Sequence, residues 1–177
     1  MPAQALFGMS VAFGFIAWGI VAAQYFWPLL RTQARVDALR PLLLLHSFRF
    51  VGLAFLVNGV VAPELPAAFA VPAAYGDLIA AVLALLALAA LHSAVGIPLV
   101  WVFNFWGSAD LLYAFYQGNA SGLAPGMLQA TYFIPTLVVP ILLITHVLAF
   151  RILLQHQSQA AARESRLAAR RAAAERT

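Results

Sequence analysis

Ala73-Ala-Tyr-Gly-Asp-Leu-Ile-Ala-Ala-Val-Leu-Ala-Leu-Leu-Ala-Leu-Ala-Ala-Leu-His92 decides the class of fold. Up to His92 it carries one ionisable side chain of acid or base, Asp77. A helix needs about 20 mostly apolar residues to cross the hydrocarbon core of a bilayer, and this stretch supplies them. Four more stretches qualify: Ala5 to Pro28, Pro41 to Ala62, Pro98 to Gly118 and Met127 to Leu154. The expectation is an all-α integral membrane protein. Residues 1–154 form a bundle of five transmembrane helices, and residues 155–177 form a basic, Ala/Arg-rich helical tail in the cytoplasm. The whole chain agrees: 64% of its 177 residues are hydrophobic and 9% are charged. A soluble domain carries about 45–50% apolar and about 25% charged residues.

Three spans are expected to begin at a proline, Pro41, Pro72 and Pro98, because a first-turn residue has no intrahelical use for an N–H. The proline-rich stretch from Pro63 to Pro72 reads as an ordered loop, and Asn119–Gly126 as a second. The turn from Ser93 to Ile97 is short, so the helices on either side of it should be antiparallel neighbours.

Charge sets the orientation. All ten basic residues are arginine. Arg31, Arg35 and Arg40 lie between the first two spans, Arg151 lies at the end of the fifth, and Arg163, Arg166, Arg170, Arg171 and Arg176 follow it. The opposite loops have Glu64 and no arginine. The positive-inside rule puts the amino terminus outside and the tail in the cytoplasm. Arginine-only basicity with heavy alanine use points to a bacterium of high GC content, hence to its inner membrane. The first span does not read as a cleavable signal, since its arginines follow it. The absence of cysteine excludes disulfides, iron–sulfur clusters and thiol nucleophiles. The absence of lysine excludes Schiff-base chemistry and a P-loop. The placement of the arginines argues against nucleic acid as a partner. No paired-carboxylate or Ser/His/Asp site stands in an aqueous cleft, so the sequence points away from an enzyme.

Ionisable groups within a bilayer are costly and mark function or helix register. Helix two carries His46, Arg49 and Asn58; helix three Asp77 and His92; helix four Asn104 and Asp110; helix five Thr136 and His146. At 1.5 Å per residue, His46 and His146 each lie roughly 7 Å from the arginine-rich end, and Asn104 roughly 9 Å. Arg49 is one turn deeper than His46 on the same face. A buried charge is normally paired, and Asp110 is the first choice of partner on depth, Asp77 the second. In Asn104-x-x-Gly107-x-x-Asp110, Gly107 would let another helix approach closely. Pro135 and Pro140 should kink helix five and free backbone carbonyls.

The pattern His46-x-x-Arg49, Phe69-Ala70-x-Pro72-Ala73 with Gly76-Asp77, Asn104-x-x-Gly107-x-x-Asp110, Pro135-Thr136-x-x-x-Pro140 and His146 resembles a family of small bacterial polytopic membrane proteins of uncharacterised function. The resemblance covers about residues 41–150. It implies a polytopic helical fold and no particular activity.

The leading functional expectation is a non-covalent b-type haem held by His46 and His146 as axial ligands. Arg49, Asn104, Trp101 and Phe105 would line it, and Arg40, Arg151 or His92 would meet the propionates. The protein would then transfer electrons to a redox partner or sense haem. The first alternative is a small transporter or proton-conducting protein using Asp110, Arg49, Asn104 and His146. The second is a structural or assembly protein whose polar groups only join helices. Small residues in helix four and from Ala80 to Ala90 predict a homodimer within the lipid bilayer.

Overall fold

The computed structural model describes residues 1–155. The expected tail helix lies, beyond Gln155, outside the described residues. Four helices are long and apolar enough to cross a membrane: α1 (Ala3–Leu30), α2 (Arg35–Leu56), α3 (Ala67–Ala89) and α5 (Ile134–Gln155). This is the build of an all-helical membrane protein. A further helix, α4 (Gly96–Ala120), is as long but carries Asn104, Ser108, Asp110, Gln117 and Asn119, which dilute its apolar character. The 3-10 stretch Pro125–Tyr132 leads into α5.

α2 and α3 make the most extensive helix pair, and α4 lies against α3. The buried positions of α3 include Ala70, Ala73, Ala74, Asp77, Ala80, Ala81, Ala84 and Ala87. Spacings of three and four put them on one stripe of a 3.6-residue helix. Of the alanines from Ala80 to Ala90, Ala80, Ala81, Ala84 and Ala87 are thus packed inside the protomer.

Pro98 lies in the first turn of α4, as expected, but Pro41 and Pro72 do not mark helix starts. α2 begins at Arg35 and α3 at Ala67, with Pro41 and Pro72 inside them. Within a helix, Pro72 leaves the carbonyl of Ala68 without its usual donor. The Gln117 side-chain amide, reaching across from α4, donates to that carbonyl at 3.3 Å. A neighbour thus absorbs the break, and the expected loop Pro63–Pro72 ends at Pro66. Pro140 similarly frees the carbonyl of Thr136, and Gly14 of α1 packs directly on it. A side chain at Gly14 would collide with that oxygen. Both wide π turns, Ala22–Phe26 and Ile134–Val138, sit beside prolines, where a bend is forced.

α1 is the peripheral helix. Phe13, Ile16 and Ile20 are exposed on it. Its inner edge reaches α5 through Trp18, whose indole donates to the Leu137 carbonyl at 3.0 Å, and the preceding 3-10 stretch through Phe7 against Tyr132.

The core is split in two. One apolar cluster, including Leu39, Leu43, Ala84, Ala87, Val100, Phe103 and Leu153, fills the end that carries Arg31–Arg40. The other, including Phe55, Phe69, Ala74, Leu111, Leu128 and Ile134, fills the end that carries the Asn119 loop. Between them lies a buried polar layer: His46, Arg49, Asp77, Asn104, Thr145 and His146.

At the loop end, Gln129 has φ 44° and ψ −120°. These angles match those of the first central position of a type II′ turn, where glycine is preferred. Gln129→Gly is therefore expected to raise stability by about 1 kcal/mol in detergent unfolding. A loss of stability would show that the Gln129 side chain holds the turn.

Candidate functional site

Arg49 organises the polar layer. It lies where α2 tightens from α-helix into the 3-10 stretch Phe48–Leu56. With three residues per turn, every third side chain eclipses the last. Arg49, Gly52 and Phe55 are the buried residues of that stretch, and His46 extends the row by one turn. Composition alone would not have indicated this geometry, but the spacing of three is visible in the sequence.

The guanidinium is enclosed. Its Nε donates to Asp77 Oδ1 at 2.7 Å and one terminal nitrogen donates to Asp110 Oδ2 at 2.6 Å. The other terminal nitrogen donates to the Gly107 carbonyl at 3.1 Å and lies 3.3 Å from His146 Nε2. The expected choice between Asp110 and Asp77 resolves to both. Such charge-assisted bonds are the strong ones, and a buried arginine needs them.

The tautomers follow from the partners. Arginine can only donate, so His146 Nε2 accepts and its Nδ1–H donates to Asn104 Oδ1 at 2.7 Å. Asn104 in turn donates to the His146 carbonyl at 3.3 Å, fixing the amide. The Thr145 hydroxyl proton goes to the carbonyl of Ile141 or Leu142. His46 Nε2–H therefore donates to Thr145 Oγ1 at 3.0 Å. That leaves His46 Nδ1 as a bare, buried lone pair without a partner. The two imidazoles are neutral and of opposite tautomers.

Glycines make the space. A Cβ at Gly52 would collide with the Asp77 carboxylate, and one at Gly76 with that of Asp110. At Gly107 a Cβ would lie 2.6 Å from the His146 ring and 2.7 Å from the Arg49 guanidinium. Gly107 thus admits two side chains and lends its carbonyl, rather than only admitting a helix.

The structure brings His46 and His146 together, with ring centroids 4.1 Å apart and planes tilted by 46°. The rings are in direct contact. An iron with bonds of about 2 Å to each of two imidazoles would hold the ring centroids farther apart, with the porphyrin between them. No plane of that size stands between these rings. Trp101 and Phe105 stack on each other at 5.4 Å and approach Phe150, and Phe105 is 60% exposed. The ring that meets both histidines is Phe103, at 5.0 and 5.2 Å. Positions 101 and 105 share one face of α4, and 103 lies on the other. The expected propionate partners are engaged elsewhere. Arg40 donates to His92 Nε2 at 2.9 Å, and Arg151 lies 4.1 Å over the Trp27 ring. Among the described residues, no three His, Cys, Asp or Glu side chains converge as metal ligands would.

A cavity of about 200 Å³ reaches the ion cluster from the Asn119 end. Asp77 and Asp110 line it, together with Phe7, Phe55, Phe69 and Phe115, and Gln4 and Asn119 are its uncharged polar residues. A second hollow, between Tyr75, Ile79, Trp106 and Tyr113, touches Asp110 from the outer face of α3 and α4. Sequence reasoning missed this wall of phenylalanines, because it draws on α1, α2, α3 and α4 at once.

The family follows from residues 6–154, which match the sequence profile described as "Domain of unknown function (DUF8737)". The chain belongs to the DUF8737 family. No curated protein and no solved structure matches it. In this DUF8737 member the matched stretch contains the ion cluster, both histidines and the cavity lining beyond Gln4.

Proposed function

We propose that this DUF8737 protein is a small carrier of the bacterial inner membrane. Its ligand and proton site is the Arg49–Asp77–Asp110 cluster. α4 is then a fifth span, with its polar residues turned to the bundle interior or the cavity. The positive-inside rule places the amino terminus and the Asn119 loop outside and the carboxyl end in the cytoplasm. Exposed apolar residues on all sides meet lipid.

One observation carries the reading: the carboxylates of Asp77, buried, and Asp110, part-buried, line a cavity that extends toward the Asn119 end, with a packed apolar cluster at the other end. A purely structural ion pair does not need a way in. The groups that bear on Asp110 are Arg49 from α2, Asp77 from α3 and, through Arg49, His146 from α5. Protonation anywhere in this set changes the charge of the whole.

The chain has no cysteine, so single cysteines report cleanly. Ala114→Cys, in the cavity wall, is expected to react with an impermeant thiol reagent from the outside. Val100→Cys, in the packed apolar cluster, is expected to react only from the cytoplasmic side. A carrier exchanges these states, so acidification should move the two labelling rates in opposite directions. Val100→Cys unreactive from both faces at every pH would mean a static bundle, and the structural reading would replace this one.

A b-type haem at His46 and His146 is the second reading, favoured by the meeting of the two rings. It requires them to part. Absence of a Soret band in protein expressed with ample haem would end it.

A further inference from the structure

We propose that the cavity above the cluster binds a small organic cation, its ammonium group against Asp77 and Asp110 and its apolar part among the phenylalanine rings. The proposal deepens the carrier reading by naming the substrate class.

The first argument is charge. One arginine faces two carboxylates, and His146 is held neutral by accepting from that arginine. With both aspartates ionised the cluster carries one negative charge in excess. Deep in a low-dielectric protein that charge needs a proton or a cation. Arg49 occupies Asp77 Oδ1 and Asp110 Oδ2, so the second oxygen of each carboxylate keeps its accepting capacity.

The second argument is what the cavity can touch. The Arg49 side chain has 0% exposure, whereas those of Asp77 and Asp110 have 9% and 10%. An entering ligand meets carboxylate and cannot reach guanidinium. An anion finds no cationic partner there, although the site contains a buried arginine.

The third argument is the wall. A bare metal ion requires several oxygen ligands, and beyond the carboxylates the deep cavity offers Phe55, Phe69, Phe115 and Ile134. Aromatic faces attract ammonium groups and also cover hydrocarbon. An amine with a compact apolar body satisfies both the carboxylates and the rings. The volume of about 200 Å³ restricts it to a small one.

The test uses matched probes on the intact protein in lipid nanodiscs, with empty nanodiscs as the baseline. Benzylammonium, benzyl alcohol and benzoate share one ring and differ in charge. Calorimetry is expected to show saturable one-to-one binding of benzylammonium, at least tenfold tighter than benzyl alcohol, and none of benzoate. Asp110→Asn is expected to weaken benzylammonium at least tenfold while leaving benzyl alcohol unchanged. Equal binding of the alcohol and the ammonium would overturn the proposal, as would preference for benzoate, and both are read on the unsubstituted protein. If benzylammonium fails while Ala114→Cys and Val100→Cys still respond in opposite directions, the cation assignment falls and the carrier stands. If benzylammonium binds without that response, the site stands and the carrier falls.

Discussion

Arg49→Met is expected to lower the stability of the bundle by about 3–5 kcal/mol, the usual cost of removing one partner from a buried ionic group. Methionine fills much of the same space, so little of the loss comes from a cavity. It comes from Asp77 and Asp110, whose bonds at 2.7 and 2.6 Å both end on this one side chain. Without it two acids share an interior with no counter-charge. Asp77→Asn and Asp110→Asn should each destabilise alone, yet in the Arg49→Met background each should cost less or even help. The coupling in each double-mutant cycle should be on the order of 1–3 kcal/mol, measured by unfolding in mixed micelles. Strict additivity in both cycles would show that Arg49 draws its support from elsewhere. A cycle that couples Arg49 to one aspartate alone would return the site to a simple pair and remove the excess charge on which the cation proposal rests.

The layer of polar residues was legible because a helix converts residue count into depth. His46, His146 and Asn104 were placed at one level by their distance from the arginine-rich ends, and they meet there. The pairing of Arg49 is less legible, because the apolar run reads as a helix that starts at Ala73. With the helix beginning at Ala67, Asp77 lies ten residues in, about 15 Å, and comes level with Arg49. The error belongs to Pro72, a residue that terminates helices only when no neighbour accepts its consequences. Gln117 does so here. Phe103 carried a readable signal. Val100, Phe103, Asn104, Gly107 and Leu111 are the buried side of α4 at spacings of three and four, and Trp101 and Phe105 fall off that stripe. What no local pattern contains is the cavity. Its phenylalanines come from separate helices, and only the packed bundle sets them around the carboxylates.

Gly107→Ala is expected to be among the most damaging single-methyl additions in the chain. The new carbon would lie 2.6 Å from the His146 ring and 2.7 Å from the Arg49 guanidinium, well inside ordinary contact. Neither neighbour is free to retreat. Arg49 is held by both aspartates and by the Gly107 carbonyl, and His146 is held by Asn104. Overpacking costs about 1–3 kcal/mol, and losing a charge-assisted hydrogen bond adds about 1.5–3 kcal/mol, so a loss of about 3–5 kcal/mol is expected. Gly19→Ala provides the contrast. Nothing lies within 4 Å of a Cβ there, so only helix propensity acts, and stability should rise by about 0.5–1 kcal/mol. If Gly107→Ala proved as harmless as Gly19→Ala, Arg49 and His146 would have room to move apart. The enclosed guanidinium would then be open to ligands, anions included, and the selectivity for cations would lose its physical basis.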